Sequence, residues 1–481
     1  MGEVQATAAG VSERKMAAET KRFLYLLIAI AVGVITYFMP ITPTESGRRV
    51  LSVTLFVIAM FITEPIPLGV TGLLGCWLYW VWAGIPVAKA FSGFHMDTPW
   101  FILGVMLLGV MAETTGLAKR VAYRLVCGVS SNYASILAAM MVVNFLLTFI
   151  IPSAVAKCLI ICAMSISLVQ SYGLAKGSNV GKGLVLAMTY QSGLFDKVIL
   201  AGAGNILARG IIESIGKVKV SYGLWLLAYL PITILTLVAC WWIIMKLFPP
   251  EKKMLEGGQD YCRIELKKMG PMTTNEIKAL VFVCVATVLW GTDHWHHISA
   301  SVIGVVVGLI ACLPVIGALK KEDFSKANFP IVIFVGSAMC LGNVMADSDI
   351  LKTLTAALFK WMTPILHSAS ITSAMLLYWY ANLFHLFLAN ETAMVGATMP
   401  ALMQFAVRDG FNPLSLGMLW AFAAGGKVFV YQSAVMAVGY AFGYFSAKDL
   451  FKFGLAVFFV ESILLLTIIP WYWPLLGLSF R

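Results

Sequence analysis

The stretch from Leu383 to Pro400, LFHLFLANETAMVGATMP, decides how the chain is read, because a polar Asn390-Glu391-Thr392 triplet interrupts an apolar run. A carboxylate at bilayer depth is costly unless it faces a cavity or a partner, so an intramembrane Glu marks a candidate site by default. The triplet reads as the tip of a broken or re-entrant helix that holds a solute.

Composition sets the class around it. Of 481 residues, 60% are hydrophobic and 12% charged, with a mean hydropathy of +0.88. A soluble domain of this size would have to expose large apolar surface to carry that composition. The expected fold is therefore all-α and polytopic in a membrane. The nine cysteines are scattered, with Cys158 and Cys162 the nearest approach to a ligand spacing, and read as small core residues. The net charge of +11 does not imply nucleic acid, because Lys and Arg sit in short loops between spans, which is the positive-inside pattern. No P-loop, HExxH or GxSxG string occurs, so neither an ATP-driven pump nor a hydrolase is expected.

Working outward from the triplet, residues 363–446 read as a second hairpin followed by a broken span, with the break near Gln432-Ser433. A matching unit occupies residues 130–213, interrupted at Ile151-Pro152-Ser153 and again at Ala201-Gly202-Ala203-Gly204-Asn205. Proline removes a backbone donor and small residues allow close approach, so each interruption suits a re-entrant or unwound segment. Pro152 and Pro400 are expected to help shape the two hairpins. Between these units lie a span within 214–248, a basic loop over 249–278 and further spans within 279–362, while a last span occupies 447–481. Residues 1–23 form a tail, basic at Arg14, Lys15, Lys21 and Arg22, and spans within 24–129 follow it. About 11 membrane helices and two re-entrant hairpins result, and an odd number of spans between the hairpins makes the halves inverted repeats. The positive-inside rule puts the amino terminus, the 249–278 loop, Lys320, Lys321, Lys326, Lys448 and Lys452 in the cytoplasm, with Asp293, Asp347, Asp349 and the carboxyl terminus outside.

Short echoes link the halves. Lys197-Val198-Ile199-Leu200 stands at the first break and Lys427-Val428-Phe429-Val430 at the second, and Tyr190-Gln191-Ser192 resembles Tyr431-Gln432-Ser433. In inverted-repeat transporters, half-helix amino termini near the midplane present free N–H groups to an anion.

From about residue 24 to 478 this order of elements resembles the divalent anion:sodium symporter family, the INDY-type carboxylate transporters. Pro152-Ser153-Ala154-Val155-Ala156-Lys157 is similar to the Ser-Asn-Thr-Ala-Arg tip of the citrate and plastid dicarboxylate exchanger branch. Phe387 to Ala397, FLANETAMVGA, is similar to its Ser-Gln-Thr-Ala-His-Val-Gly tip. The tips are atypical: Ala154 and Val155 replace an amide and a hydroxyl, Asn390 takes the Ser position and Glu391 the amide position. The resemblance implies an elevator-type secondary transporter of small divalent organic anions, C4-dicarboxylates or related di- and tricarboxylates. Its hairpins and broken spans would move against a scaffold made of the other spans, which dimerises. The expected partners are the anion, the lipid bilayer and a second copy of the chain, with no cofactor beyond a coupling Na+ or H+. The expected location is a bacterial inner membrane or a plasma membrane. An inorganic-ion carrier of the arsenite or sodium/proton type is the alternative.

Ser153, Ala154, Val155, Lys157, Asn390, Glu391 and Thr392 are the candidate substrate-binding residues, and Gly202, Gly204, Asn205, Ser433 and Ala434 the candidate ion-lining ones. Glu391 is expected to face Lys157, and Asp196 is expected to pair with its neighbour Lys197. Asp293, His294, His296 and His297 form a loop cluster, read as an interfacial loop in preference to a metal site.

Overall fold

Apolar runs bounded by capping residues become the helices. Thr44 accepts from the Gly47 N–H to start Glu45–Thr63, while reciprocal Thr273/Glu276 and Ser446/Asp449 caps start Thr274–Gly291 and Ala447–Leu475. Each cap satisfies amide groups that the first helical turn leaves without partners. The computed structural model describes residues 2–42, 44–127, 132–151, 153–254, 258–346, 349–367, 370–388 and 390–480. Pro152 and Asp347 lie outside the described residues. Among them, eight helices are long and apolar enough to cross a bilayer, five shorter apolar helices accompany them, and Asp97–Thr114 bends by 62° into Leu117–Val126. The chain is an integral membrane protein.

Both expected interruptions fall between helices. Tyr133–Thr148 and Ala154–Ser171 form hairpin 1, and Ser370–Phe387 and Glu391–Asp409 form hairpin 2. Pro400 lies inside the second limb of hairpin 2. Each hairpin is followed by a broken span, Asn179–Leu194 with Ala203–Ser214 in the first half and Pro413–Ala424 with Ala434–Ala441 in the second. A 16-residue limb such as Tyr133–Thr148 is about 24 Å long, short of the roughly 30 Å hydrocarbon core.

The loop contacts sort the ends of these elements onto two faces. On one face the segment after Tyr222–Leu247 touches both the start of hairpin 1 and the start of the first broken span. There Tyr133 N–H donates to Lys253 O at 3.0 Å, and Glu251 accepts from the Asn179 N–H at 2.5 Å. On the other face Asn412 N–H, at the exit of hairpin 2, donates to Phe480 O at 2.9 Å. Tyr222–Leu247 joins the two faces: its carboxyl end leads to Glu251 and Lys253, while near its amino end Ala228 O accepts from the Trp473 indole, a short way before Phe480. The two hairpins therefore open on opposite faces, as inverted repeats require.

Two stretches depart from expectation. The basic loop contains its own helix, Gly258–Lys268, and the segment after it is clamped by Arg120, whose guanidinium donates to the carbonyls of Met269, Gly270 and Pro271 and pairs with Glu276 at 2.7 Å. Of the spans expected within 279–362, the helix Ala300–Ile310 stops after 11 residues. Pro314 cannot extend a helix, and Val315 takes the left-handed conformation at φ 68°.

Tyr222–Leu247 packs on Ala447–Leu475 and on the first broken span, and Ala447–Leu475 packs also on Ser370–Phe387 of hairpin 2. Trp225 donates to Lys197 O at 3.0 Å, Tyr229 to Met418 O at 2.5 Å and Trp241 to Ala134 O at 2.9 Å.

Candidate anion site at the hairpin tips

Four helices begin around one cavity of about 260 Å³. They are the second limbs of both hairpins, starting at Ala154 and Glu391, and the second halves of both broken spans, starting at Ala203 and Ala434. Every helix amino terminus carries partial positive charge and N–H groups without helical partners. Four of them directed at one small volume favour an anion there.

The cavity gathers nearly all the residues picked from sequence. Ser153, Ala154 and Val155 line it from hairpin 1, and Asn390, Glu391 and Thr392 from hairpin 2. Gly202, Gly204 and Asn205 line it from the first break, and Ser433 and Ala434 from the second. Ile102, Met106 and Ile331, on helices outside the hairpin units, close it together with Asn328, which precedes Phe329–Ala346. Lys157 is the exception, because it is fully buried behind the tip and does not line the cavity.

Several of these side chains also hold the backbone. Ser153 accepts from the Ala156 N–H at 3.3 Å, Asn390 from the Thr392 N–H at 2.9 Å, and Ser433 from the Val435 N–H at 3.2 Å, so each caps its own half-helix. Asn205 donates to the carbonyls of Asp196 and Ile199 at 2.5 and 2.8 Å, which fixes the unwound turn of the first break. Gly204 lets that helix approach hairpin 2, because a Cβ there would stand 3.0 Å from Glu391 Oε1.

The charges pair differently from the sequence expectation. Glu391 faces Lys427 at 3.1 Å, not Lys157. Lys157 reaches Asp196 at 3.0 Å and the Thr148 hydroxyl at 2.6 Å, so Asp196 is not paired with its neighbour Lys197. The reason is helical geometry: Lys157 sits one turn inside its half-helix, where it meets the break of its own repeat, while Glu391 stands at the opposite tip against the other break. Lys427 also donates to Gly425 O at 2.8 Å and Gly193 O at 3.4 Å, so carbonyls at the carboxyl ends of both broken-span halves surround its ammonium.

Lys197 lies outside the cavity in a cluster that the sequence reading missed. Its ammonium meets Glu461 at 3.1 Å and stands 4.1 Å from the centre of the Phe422 ring, and Tyr378 donates to the same carboxylate at 2.8 Å. Gly425 makes room for it, since a Cβ there would collide with Lys197 Cε. A lone Glu within the apolar run of Ala447–Leu475 was the available signal. Asp293, from the histidine loop, accepts from the Tyr222 N–H at 2.6 Å and the Ser221 hydroxyl at 2.9 Å, so it caps Tyr222–Leu247. On that face Arg209 joins the first broken span to Asp97 at 3.3 Å and to the hydroxyl of Ser301.

Residues 20–479 match the model of the sodium:sulfate symporter transmembrane region family. The chain belongs to that family. The family consists of membrane transporters, so the protein is a transporter and not an enzyme. Similar proteins include dicarboxylate transporter 1, chloroplastic, of Arabidopsis thaliana, 24% identical over 94% of this chain and 83% of that one. The sodium-dependent dicarboxylate transporter SdcS of Staphylococcus saprophyticus is 25% identical over 80% of this chain and 78% of its own length. The putative malate transporter YflS of Bacillus subtilis is 24% identical over 94% and 96%.

Proposed function

We propose that the protein moves small divalent organic anions, C4-dicarboxylates foremost, across a bacterial inner membrane or a plasma membrane by secondary active transport. The observation that carries this reading is the convergence of four helix amino termini on one cavity at the tips of two oppositely inserted hairpins. Relatives named as dicarboxylate and malate transporters support the substrate class and disfavour an inorganic-ion carrier. In this reading Ser153, Ala154, Val155, Asn390, Glu391 and Thr392 hold the anion, mainly through backbone N–H groups, and the linings at Gly202 to Asn205 and at Ser433 and Ala434 complete the site. Lys157 acts from behind the tip by keeping Asp196 neutralised.

The movement is of the elevator type, with the hairpins and broken spans sliding against a dimerised scaffold. Their bonds to Lys197, Met418 and Ala134 support assigning Tyr222–Leu247 and Ala447–Leu475 to the moving part in place of the scaffold. The basic 249–278 segment supports a cytoplasmic setting for its face, and for the amino terminus by span counting. Lys427, held among carbonyls and beside Glu391, supplies a fixed cation of the kind that a coupling sodium ion would otherwise provide.

The test is counterflow in proteoliposomes loaded with unlabelled malate, succinate, citrate or sulfate. Accumulation of labelled malate or succinate is expected. Accumulation of sulfate alone, or of none of them, would overturn the substrate class.

A further inference from the structure

A second cavity of about 740 Å³ lies between Asp97–Thr114 with its bent continuation Leu117–Val126 and the second limb of hairpin 1. The two cavities share walls in steps of one helical turn. Met106 lines the site and Val110 the larger cavity, and on the hairpin limb Val155 and Leu159 do the same. On a third wall Asn328 lines the site and Lys326 the larger cavity. The larger cavity, termed the vestibule, stands one helical turn from the site beside Leu117–Val126, whose Arg120 is bonded to the 249–278 loop.

Its polar lining differs from that of the site. The vestibule presents the ammonium groups of Lys119 and Lys326, the hydroxyls of Thr114 and Ser167, and one carboxylate, Glu113. Lys119 has no ion pair among the described residues, and Lys326, with its side chain 56% exposed, is shared with Asp323 at 2.7 Å.

We propose that Lys119 and Lys326 form a transient docking station where the substrate anion is held, still hydrated, before it passes Val110 and Leu159 to the hairpin tips. The proposal rests on the anion-transport reading above. Water-facing ammonium groups bind carboxylates weakly and are screened by salt, so such a station raises the local anion concentration without trapping it. Glu113 opposes capture and limits residence.

The experiment measures labelled malate transport from the vestibule face and from the opposite face in sided vesicles, at low and high ionic strength. In Lys119→Gln/Lys326→Gln the vestibule-face KM is expected to rise about threefold or more at low salt with kcat unchanged, the excess vanishing at high salt. Glu113→Gln is expected to shift KM in the opposite direction. An unaltered vestibule-face KM in the double variant, or an equal change on both faces, would overturn the station. Absence of malate transport by the wild-type protein would instead overturn the functional reading, so the two failures are distinguishable.

Discussion

Lys427 meets the carboxylate of Glu391 at 3.1 Å, and this pair is the charge-reversed counterpart of Lys157 and Asp196 at 3.0 Å. In the first repeat the hairpin supplies the cation and the break the anion, and in the second repeat the roles are exchanged. Lys197 and Lys427 both stand three residues past a half-helix ending at Leu194 or Ala424, and of the two Lys427 is the one paired with a carboxylate that lines the cavity.

Removing either member of the Glu391–Lys427 pair leaves a charge without its partner in a poorly solvated place. Glu391→Gln and Lys427→Gln are each expected to lower malate uptake about tenfold or more, equivalent to ~1.4 kcal/mol or more. The double variant should lose no more than the worse single one, giving an interaction on the order of 1–3 kcal/mol. Additive losses in initial uptake rates would show that the two groups act independently.

If Lys427 supplies the cation of the site, transport should depend only weakly on sodium, with exchange or proton-linked uptake in its place. The check is uptake by purified protein with sodium replaced by choline at several pH values, for the wild type and Glu391→Gln. Strict sodium dependence, unchanged in the variant, would refute it.

Glu461 holds Lys197 in the interior, with side chains 1% and 2% exposed. Glu461→Ala should destabilise the protein by about 3–5 kcal/mol, because an ammonium is left buried alone. Replacing both residues, as Lys197→Met/Glu461→Leu, should recover much of the loss. Thermal unfolding in detergent measures both, and equal melting temperatures for the wild type and Glu461→Ala would exclude a structural role for the pair.

The hairpins, the breaks and the two-half plan were legible in sequence because polar and glycine-rich interruptions stand out against apolar runs. Asn390 to Thr392 and Gly202 to Asn205 needed only that contrast. The pairing of charges was not legible, since Lys157, Lys197 and Lys427 with Asp196, Glu391 and Glu461 allow several matchings, and only side-chain direction separates Lys157 from Lys427 as the partner of Glu391. Glu461 was harder to find because the helix runs unbroken through it, so no interruption of the kind that marks the hairpin tips stands beside it.

An elevator requires the vestibule walls to slide past each other. Cysteines replacing Val110 and Leu159, joined by a short bifunctional reagent, should stop malate flux while binding persists in the linked protein. Undiminished flux after complete cross-linking would count against relative motion of these walls.

The most direct measurement of the central claim, that the two hairpin tips form one anion site, is the rate at which a thiol reagent labels Ser153→Cys and Thr392→Cys with and without a transported anion. Malate or succinate is expected to slow labelling at both positions, with a half-maximal concentration that agrees between them and with the transport KM. Labelling at either position that no transported anion slows would contradict a shared site at the tips.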